Sequence, residues 1–155
     1  MNIAKYIDFD LYLNRIKVRN QKQAFQLMAT EAAPMCGVPE DDLFEIFQDR
    51  YEQSGVSGEN GVVILDVQSD EIKEPVMWAA TIDKGVDFNM HDTKPADILV
   101  GIVSPKSYGT AHLRNLSSIA RLFRAKNLCD ALRETKNEDE MRMLFMPSQD
   151  WMIAA

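Results

Sequence analysis

The sequence predicts an α/β domain in which a β-sheet is covered by α-helices. In several segments apolar residues recur every three or four positions, as they do on the buried face of a helix. Between these segments lie short runs rich in β-branched residues, which are typical of buried strands. The 155 residues are enough for one domain with a sizeable core. We expect residues 1–145 to form this domain and residues 146–155 to form a C-terminal tail.

The N-terminal part of the chain predicts one strand followed by two helices. Residues 11–18 alternate loosely between apolar and polar side chains, which indicates a strand. Asn20 suits a helix N-cap and Gly37 suits a helix end, so we expect a helix between them. Pro39 is able to open the next helix, because a first turn does not need the missing N–H group. That helix is expected to end near Gln53.

The central part of the chain predicts three strands after a glycine-rich loop. The loop spans residues 54–61, and its glycines indicate either turns alone or a phosphate cradle. Residues 62–67 form a short apolar run that predicts a buried strand, and residues 75–82 and 98–104 are the other two candidates. Turns are expected between them, at residues 85–88 and 92–95.

The C-terminal part predicts three helices with polar residues at their starts. Thr110, Asn127 and Asn137 are candidates for the three N-caps. The first of these helices has apolar residues at helical spacing, which predict its buried face: Leu113, Leu116, Ala120 and Phe123.

Composition argues against several classes of function. The chain has 17 basic and 24 acidic side chains, and its net charge of −7 repels nucleic acids and anionic membranes. Cys36 and Cys129 are too few for a secreted disulfide scaffold and are expected to be buried free thiols. The cysteines and histidines show no metal-ligand spacing. Without an apolar segment long enough for a signal peptide or a membrane span, we expect a cytoplasmic protein.

Two residues stand out as candidates for a site. Walker, GxGxxG and GxSxG motifs are all missing, so no nucleotide cofactor is expected. Asp66 ends a buried apolar run, where a carboxylate is costly unless it emerges at the edge of the sheet. His112 lies in the first turn of a predicted helix, where free N–H groups suit an anion. A solvated aspartate and a surface histidine are the plainer interpretations, and His91 is expected to be exposed.

Several short motifs together resemble a known family. After Arg50 they run ENGVVI (59–64), KEPV (73–76), GVDF (85–88), DTKP (92–95), SP (104–105), HLRNL (112–116) and IARLF (119–123). Their order and spacing resemble the enzyme IIA domain of the fructose/mannitol type, and most closely its nitrogen-regulatory branch in the phosphoenolpyruvate-dependent phosphotransferase system. The resemblance covers residues 20–145 and implies a mixed β-sheet sandwiched by helices.

The resemblance also implies a phosphotransfer site, from which this chain departs. In the family, the histidine of a Pro-His pair takes a phosphoryl group from an HPr-type phosphocarrier. That pair falls here on Leu65 and Asp66, so the usual nucleophile is replaced by a carboxylate. The second histidine and the upstream arginine of the family correspond to His112 and Arg50. A Ser-Thr-Gly sequence falls on residues 55–57, which are Gly-Val-Ser here and lack most of the hydroxyl groups.

Three functions remain open at this point. The first is a regulatory enzyme IIA-like protein that has lost phosphoryl acceptance and acts by binding proteins. The second is an active phosphotransferase that uses Asp66 or His112, and the third is a small-anion-binding α/β domain that uses Arg50 and His112. The resemblance implies an HPr-type phosphocarrier and targets such as sensor kinases or potassium-transport regulators as partners.

The site itself is expected to distinguish these functions. An ion pair between Asp66 and Arg50 would favour the regulatory protein, because it fills the position of the phosphoryl group. Three apolar residues are candidates for an exposed docking surface beside Asp66: Val56, Leu65 and Met90.

Overall fold

The computed structural model describes residues 7–90 and 94–146. The elements in chain order are β1 (Leu11–Ile16), α1 (Gln21–Cys36), α2 (Glu40–Ser54), β2 (Val62–Gln68), β3 (Val76–Val86), β4 (Ala96–Ser104), a 3-10 turn (Lys106–Tyr108), α3 (Thr110–Leu122), α4 (Lys126–Arg133) and α5 (Glu138–Phe145). His91 and the predicted tail after Met146 lie outside the described residues.

The four strands form one mixed sheet in the order β1-β3-β4-β2. β1 runs parallel to β3 and β2 runs parallel to β4, whereas β3 and β4 are antiparallel. β2 is therefore an edge strand with a single strand neighbour. This arrangement confirms the predicted α/β fold with a mixed sheet covered by helices.

Helices cover both faces of the sheet because alternate residues of each strand point to opposite sides. On one face, Leu65 of β2 and Trp78 of β3 pack in a core with Phe47 of α2. On the other face, Ile64 of β2 packs in a second core with Ile119 of α3. The odd and even residues of β2 thus belong to different cores, and Asp66 falls on the α3 side.

The predicted caps of two helices are confirmed. The Asn20 side chain accepts a hydrogen bond from the Gln23 backbone N–H at 2.8 Å, and Asn137 accepts one from Glu140 at 2.9 Å. Gly37 ends α1 with a φ of 73°, a left-handed conformation that glycine adopts without strain.

Two other predicted caps and one predicted turn are wrong. Gly109 and Ala125 occupy the N-cap positions of α3 and α4, and neither helix has a side-chain cap. Thr110 and Asn127 therefore lie inside their helices. For α4, the Ala125 N–H closes the turn after α3 on the Leu122 oxygen and the Ala125 oxygen accepts from the Cys129 N–H, so the helix begins before Asn127. At the expected turn of residues 85–88, Val86 instead pairs with Ala96, which extends β3.

The predicted buried face of α3 is confirmed except at Leu113, since Phe123 is buried and Leu116 and Ala120 pack against the same core. Leu113 is 58% exposed, whereas His112 is 1% exposed and Ile119 is fully buried. His112 precedes Leu116 by four residues and Ile119 by seven, so all three lie on one helical face. This spacing is visible in the sequence, but the prediction chose Leu113 for the buried face because it is apolar and His112 is polar.

Both cysteines are free and buried, as predicted. Burial raises the pKa of the Cys36 thiol to about 12, with a smaller contribution from the negative charge of Asp10. Burial is also the main reason why the pKa of Cys129 is raised. Both side chains are therefore protonated, weakly nucleophilic thiols at neutral pH.

Candidate functional site

The fold brings Arg50, Asp66 and His112 together from three different elements. Asp66 lies on β2, two residues before the end of the strand, and its side chain is 24% exposed. Arg50 comes from α2, which packs on the opposite face, and its side chain reaches around the open edge of β2. His112 comes from the first turn of α3. The carboxylate therefore does emerge at the edge of the sheet, although the strand continues beyond it.

Arg50 binds both the backbone and the side chain of Asp66. Its Nε donates to the main-chain oxygen of Asp66 at 2.9 Å, and its Nη2 lies 3.3 Å from Asp66 Oδ2. Nη1 donates to Ser54 Oγ at 3.0 Å, which holds the guanidinium plane on α2. Because the Arg50 side chain is 39% exposed, solvent screens the ion pair, and its main role is to orient the carboxylate.

His112 binds the second carboxylate oxygen from the opposite side. Its Nε2 lies 3.3 Å from Asp66 Oδ1, and its Nδ1 lies 2.8 Å from Ser104 Oγ. An ionised carboxylate only accepts hydrogen bonds, so Nε2 carries the proton in this contact. The Ser104 hydroxyl then donates to Nδ1 when the ring is neutral. Ser104 is 2% exposed, so the contact lies in the protein interior and fixes the ring.

Ser104 is a site residue that sequence reasoning missed. It appeared there only as part of a Ser-Pro motif, with no assigned role. Ser104 ends β4 and pairs in register with Gln68, two residues after Asp66 on the neighbouring strand. A signal was available, since the carboxyl ends of parallel strands place their side chains around one site.

A solvent-facing groove of about 370 Å³ borders Asp66 and Arg50. Its charged residues are one cation, Arg50, and three carboxylates: Asp49, Asp66 and Glu71. This excess of negative charge opposes the binding of a small anion there.

The glycine-rich loop before β2 covers the edge of the sheet. Ser57 exchanges two backbone hydrogen bonds with Ile64, at 3.3 and 2.8 Å, and so shields part of the β2 edge. Gly58 has a φ of 126°, and a Cβ atom there would lie 2.1 Å from the Val62 carbonyl oxygen. These contacts give Gly58 a structural role in the turn that brings the loop back onto β2.

The exposed apolar side chains near the site differ from those predicted. Leu65 is 1% exposed and belongs to the core, while Val56 and Met90 are half-buried against that same core. Instead, Tyr108 is 42% exposed and Leu113 is 58% exposed. These two residues precede and follow His112 in the chain.

The described ranges contain no group of three or more His, Cys, Asp or Glu side chains that could hold a metal ion. Within the same ranges, no helix combines the length and the apolar content needed to cross a membrane.

The chain is similar to known proteins over nearly its whole length. It is 28% identical over 137 residues to a nitrogen regulatory protein of Bradyrhizobium diazoefficiens, covering 88% of this chain and 90% of that protein. The structure of nitrogen regulatory protein IIA-Ntr from Neisseria meningitidis superimposes with a TM-score of 0.80 at 22% identity, covering 88% and 92% of the two chains. The complex of mannitol enzyme IIA with phosphorylated mannitol enzyme IIB from Escherichia coli contains a chain that superimposes with a TM-score of 0.71 at 15% identity, covering 88% and 93%.

These solved structures share the fold described above, and the sequence similarity identifies the family. Residues 6–146 match the profile of the family described as "Phosphoenolpyruvate-dependent sugar phosphotransferase system, EIIA 2". This chain therefore belongs to the EIIA 2 family of the phosphoenolpyruvate-dependent sugar phosphotransferase system.

Proposed function

We propose that this protein is a regulatory member of the nitrogen-type branch that accepts no phosphoryl group and acts by binding other proteins. The observation that carries the proposal is the ion pair between Asp66 and Arg50, at 3.3 Å. By the resemblance, Asp66 stands where the family's phospho-accepting histidine belongs. Its carboxylate puts a permanent negative charge near the position that a phosphoryl group would take.

The hydrogen bonds of Asp66 make it a poor nucleophile. Oδ2 contacts the Arg50 guanidinium and Oδ1 contacts the His112 ring, so both oxygens are held by donors. Such contacts stabilise the charged ground state and withdraw electron density from the attacking atom. Phosphoryl transfer also depends on an in-line approach, and a misplacement of about 1 Å costs about a hundredfold in rate.

The same contacts allow Asp66 to imitate a phosphorylated site in part. A phosphoryl group carries a charge of about −1.5 to −2 and offers three acceptor oxygens. Asp66 supplies a single negative charge and two oxygens, and it already engages Arg50 and His112. We infer that the surface around Asp66 permanently resembles that of a phosphorylated relative.

The surroundings of the site are suited to a protein partner. Tyr108 and Leu113, which precede and follow His112 in the chain, expose apolar surface that a protein partner could cover. The relatives named as nitrogen regulatory proteins and the mannitol enzyme IIA complex also favour protein binding. HPr-type carriers and regulatory targets such as sensor kinases or potassium-transport regulators are the candidate partners.

A phosphotransfer reaction tests the loss of acceptance. We expect no phosphoryl adduct after incubation with phosphoenolpyruvate, the first enzyme of the relay and an HPr-type carrier, as measured by intact mass. The mass of the carrier in the same mixture verifies that the relay is running. An adduct that maps to Asp66 or His112 would contradict the proposal and support the alternative of an active phosphotransferase.

Titration of the candidate targets tests the role of the Asp66 charge. We expect Asp66→Ala to weaken target binding about tenfold, the effect of losing one charge-assisted contact in an interface. Asp49→Ala is the matched control, because it removes another carboxylate from the same groove. If Asp66→Ala binds the targets as tightly as the natural protein does, Asp66 does not imitate a phosphorylated site. If none of the targets binds the natural protein, the proposed protein-binding function is wrong.

A further inference from the structure

A second and larger groove lies at the other end of β2. It has a volume of about 670 Å³ and runs between the starts of β2 and β4, the end of α3 and the length of α4. Val62 lines it, four residues before Asp66, which corresponds to about 13 Å along the strand. The groove is therefore separate from the Asp66 site. Its size falls within the range of small-molecule pockets.

One wall of the groove is held by a network around Arg133. Arg133 Nε lies 2.9 and 3.0 Å from the two carboxylate oxygens of Asp97, and its Nη2 donates to the main-chain oxygen of Asn60 at 2.8 Å. A Cβ atom at residue 61 would lie 2.7 Å from Nη2, so Gly61 makes this arrangement possible. The wall is thus a built feature that holds its shape without a ligand.

The groove is positively charged in an acidic protein. Its two carboxylates, Asp97 and Asp130, both contact Arg133. They are outnumbered by the four cations that line the groove: Lys94, Arg124, Lys126 and Arg133. The whole chain has a net charge of −7, yet residues 105–133 contain six Lys or Arg and only one acidic residue. The positive charge of the molecule is therefore concentrated around α3 and α4.

Arg124 and Lys126 are the cations best placed to receive a ligand. Lys126 contacts Asp130 at 2.7 Å, but these side chains are 85% and 50% exposed, and such surface pairs contribute little energy. An anion can replace this contact at small cost. Arg124 is exposed on the same turn between α3 and α4. Beneath them lie the apolar side chains of Val62 and Phe123.

We propose that this groove binds a small organic phosphate. The phosphate would contact Arg124 and Lys126, and the organic part would lie against Val62, Pro95 and Phe123. A dianionic phosphate suits two adjacent cations, since guanidinium groups bind its oxygens in pairs. The groove is much larger than an inorganic phosphate ion, and its apolar lining needs an organic body to fill it.

Isothermal titration of the full chain with three probes tests this proposal. The probes are adenosine 5′-monophosphate, ribose 5-phosphate and phenyl phosphate, with inorganic phosphate as the head group alone. We expect at least one organic probe to bind in the micromolar to millimolar range and more tightly than inorganic phosphate. Arg124→Ser should weaken that binding about tenfold, the loss of one charge-assisted hydrogen bond. Arg121→Ser is the matched control, because Arg121 is exposed near the end of α3, three residues before Arg124, but does not line the groove.

Three results would overturn the proposal. In the first, no organic probe binds at concentrations up to about 10 mM. In the second, Arg124→Ser and Arg121→Ser lose the same affinity for the probe. In the third, a glutamate-rich peptide binds more tightly than any organic probe. The last result would assign the face to an acidic protein partner. Thermal unfolding of each variant verifies that it is folded. Asp66→Ala should leave organic phosphate binding unchanged, which separates this proposal from the proposed function.

Discussion

The Asp66→His variant is expected to accept a phosphoryl group, whereas the natural protein is expected to stay unmodified. The variant introduces an imidazole between Arg50 and His112, which already contact the residue at this position, each at 3.3 Å. These two side chains are then able to hold the oxygens of the incoming phosphoryl group instead of a carboxylate. We expect a mass increase of one phosphoryl group after incubation with the phosphorylated HPr-type carrier.

The rate of phosphoryl transfer to the Asp66→His variant depends on how well the rest of the site is preserved. By the resemblance, Val56 stands where the family has a hydroxyl-bearing residue, so transfer to the variant is expected to be slow but measurable. Asp66→Asn is the control, because it removes the negative charge without supplying an imidazole. If Asp66→His stays unmodified while the carrier is fully phosphorylated, more than the nucleophile has been lost, and the prediction is wrong.

The Gly101→Ala variant is expected to lose about 3 kcal/mol or more of unfolding free energy. Gly101 lies on β4 between β2 and β3, where it pairs with Leu65 on one side and Trp78 on the other. A Cβ atom at residue 101 would lie 2.2 Å from two atoms of the Trp78 indole. The two neighbouring strands prevent the backbone from moving aside, and fully buried Trp78 has no free space to move into. Urea unfolding of the variant measures this loss.

A double-mutant cycle with Trp78→Leu isolates this collision. The smaller leucine leaves room for a Cβ atom at residue 101, so adding Gly101→Ala should cost less in this background than in the natural protein. Trp78 Nε1 makes no hydrogen bond in the described part of the chain, so Trp78→Leu removes packing and no polar contact. If Gly101→Ala lowers the unfolding free energy equally in both backgrounds, the collision with Trp78 is not the cause of the loss.

The elements that sequence reasoning predicted well are those with local signals. Asn20 and Gly37 enclose α1 because a side-chain oxygen and a left-handed glycine satisfy its terminal backbone groups, whatever the helix packs against. The start of α4 was wrong because the turn after α3 sets it, and Asn127 has no role in that turn. Tertiary contacts override a local preference of about 1 kcal/mol for a capping residue.

The candidate site was predictable in its composition and not in its geometry. Asp66 stood out because a carboxylate is costly after an apolar run, and Arg50 and His112 followed from the resemblance. The only signal for Ser104 was its position at the end of a predicted strand, since a buried serine is ordinary unless its partner is known. Leu113 was assigned to the core by its apolar character, although the buried face of α3 runs through His112.

The sequence by itself determined the fold class and the family, because these depend on residue types and their order, and its resemblance to the family implies that Asp66 replaces the usual nucleophile. Only the tertiary structure decided that Asp66 lies between Arg50 and His112 and that its groove is acidic. It also decided that the basic residues of α3 and α4 meet the start of β2 around a second groove. The physical reason is that distances and charges at a site arise from elements remote in the chain, whose relative positions are set by the packing of the sheet and its helices.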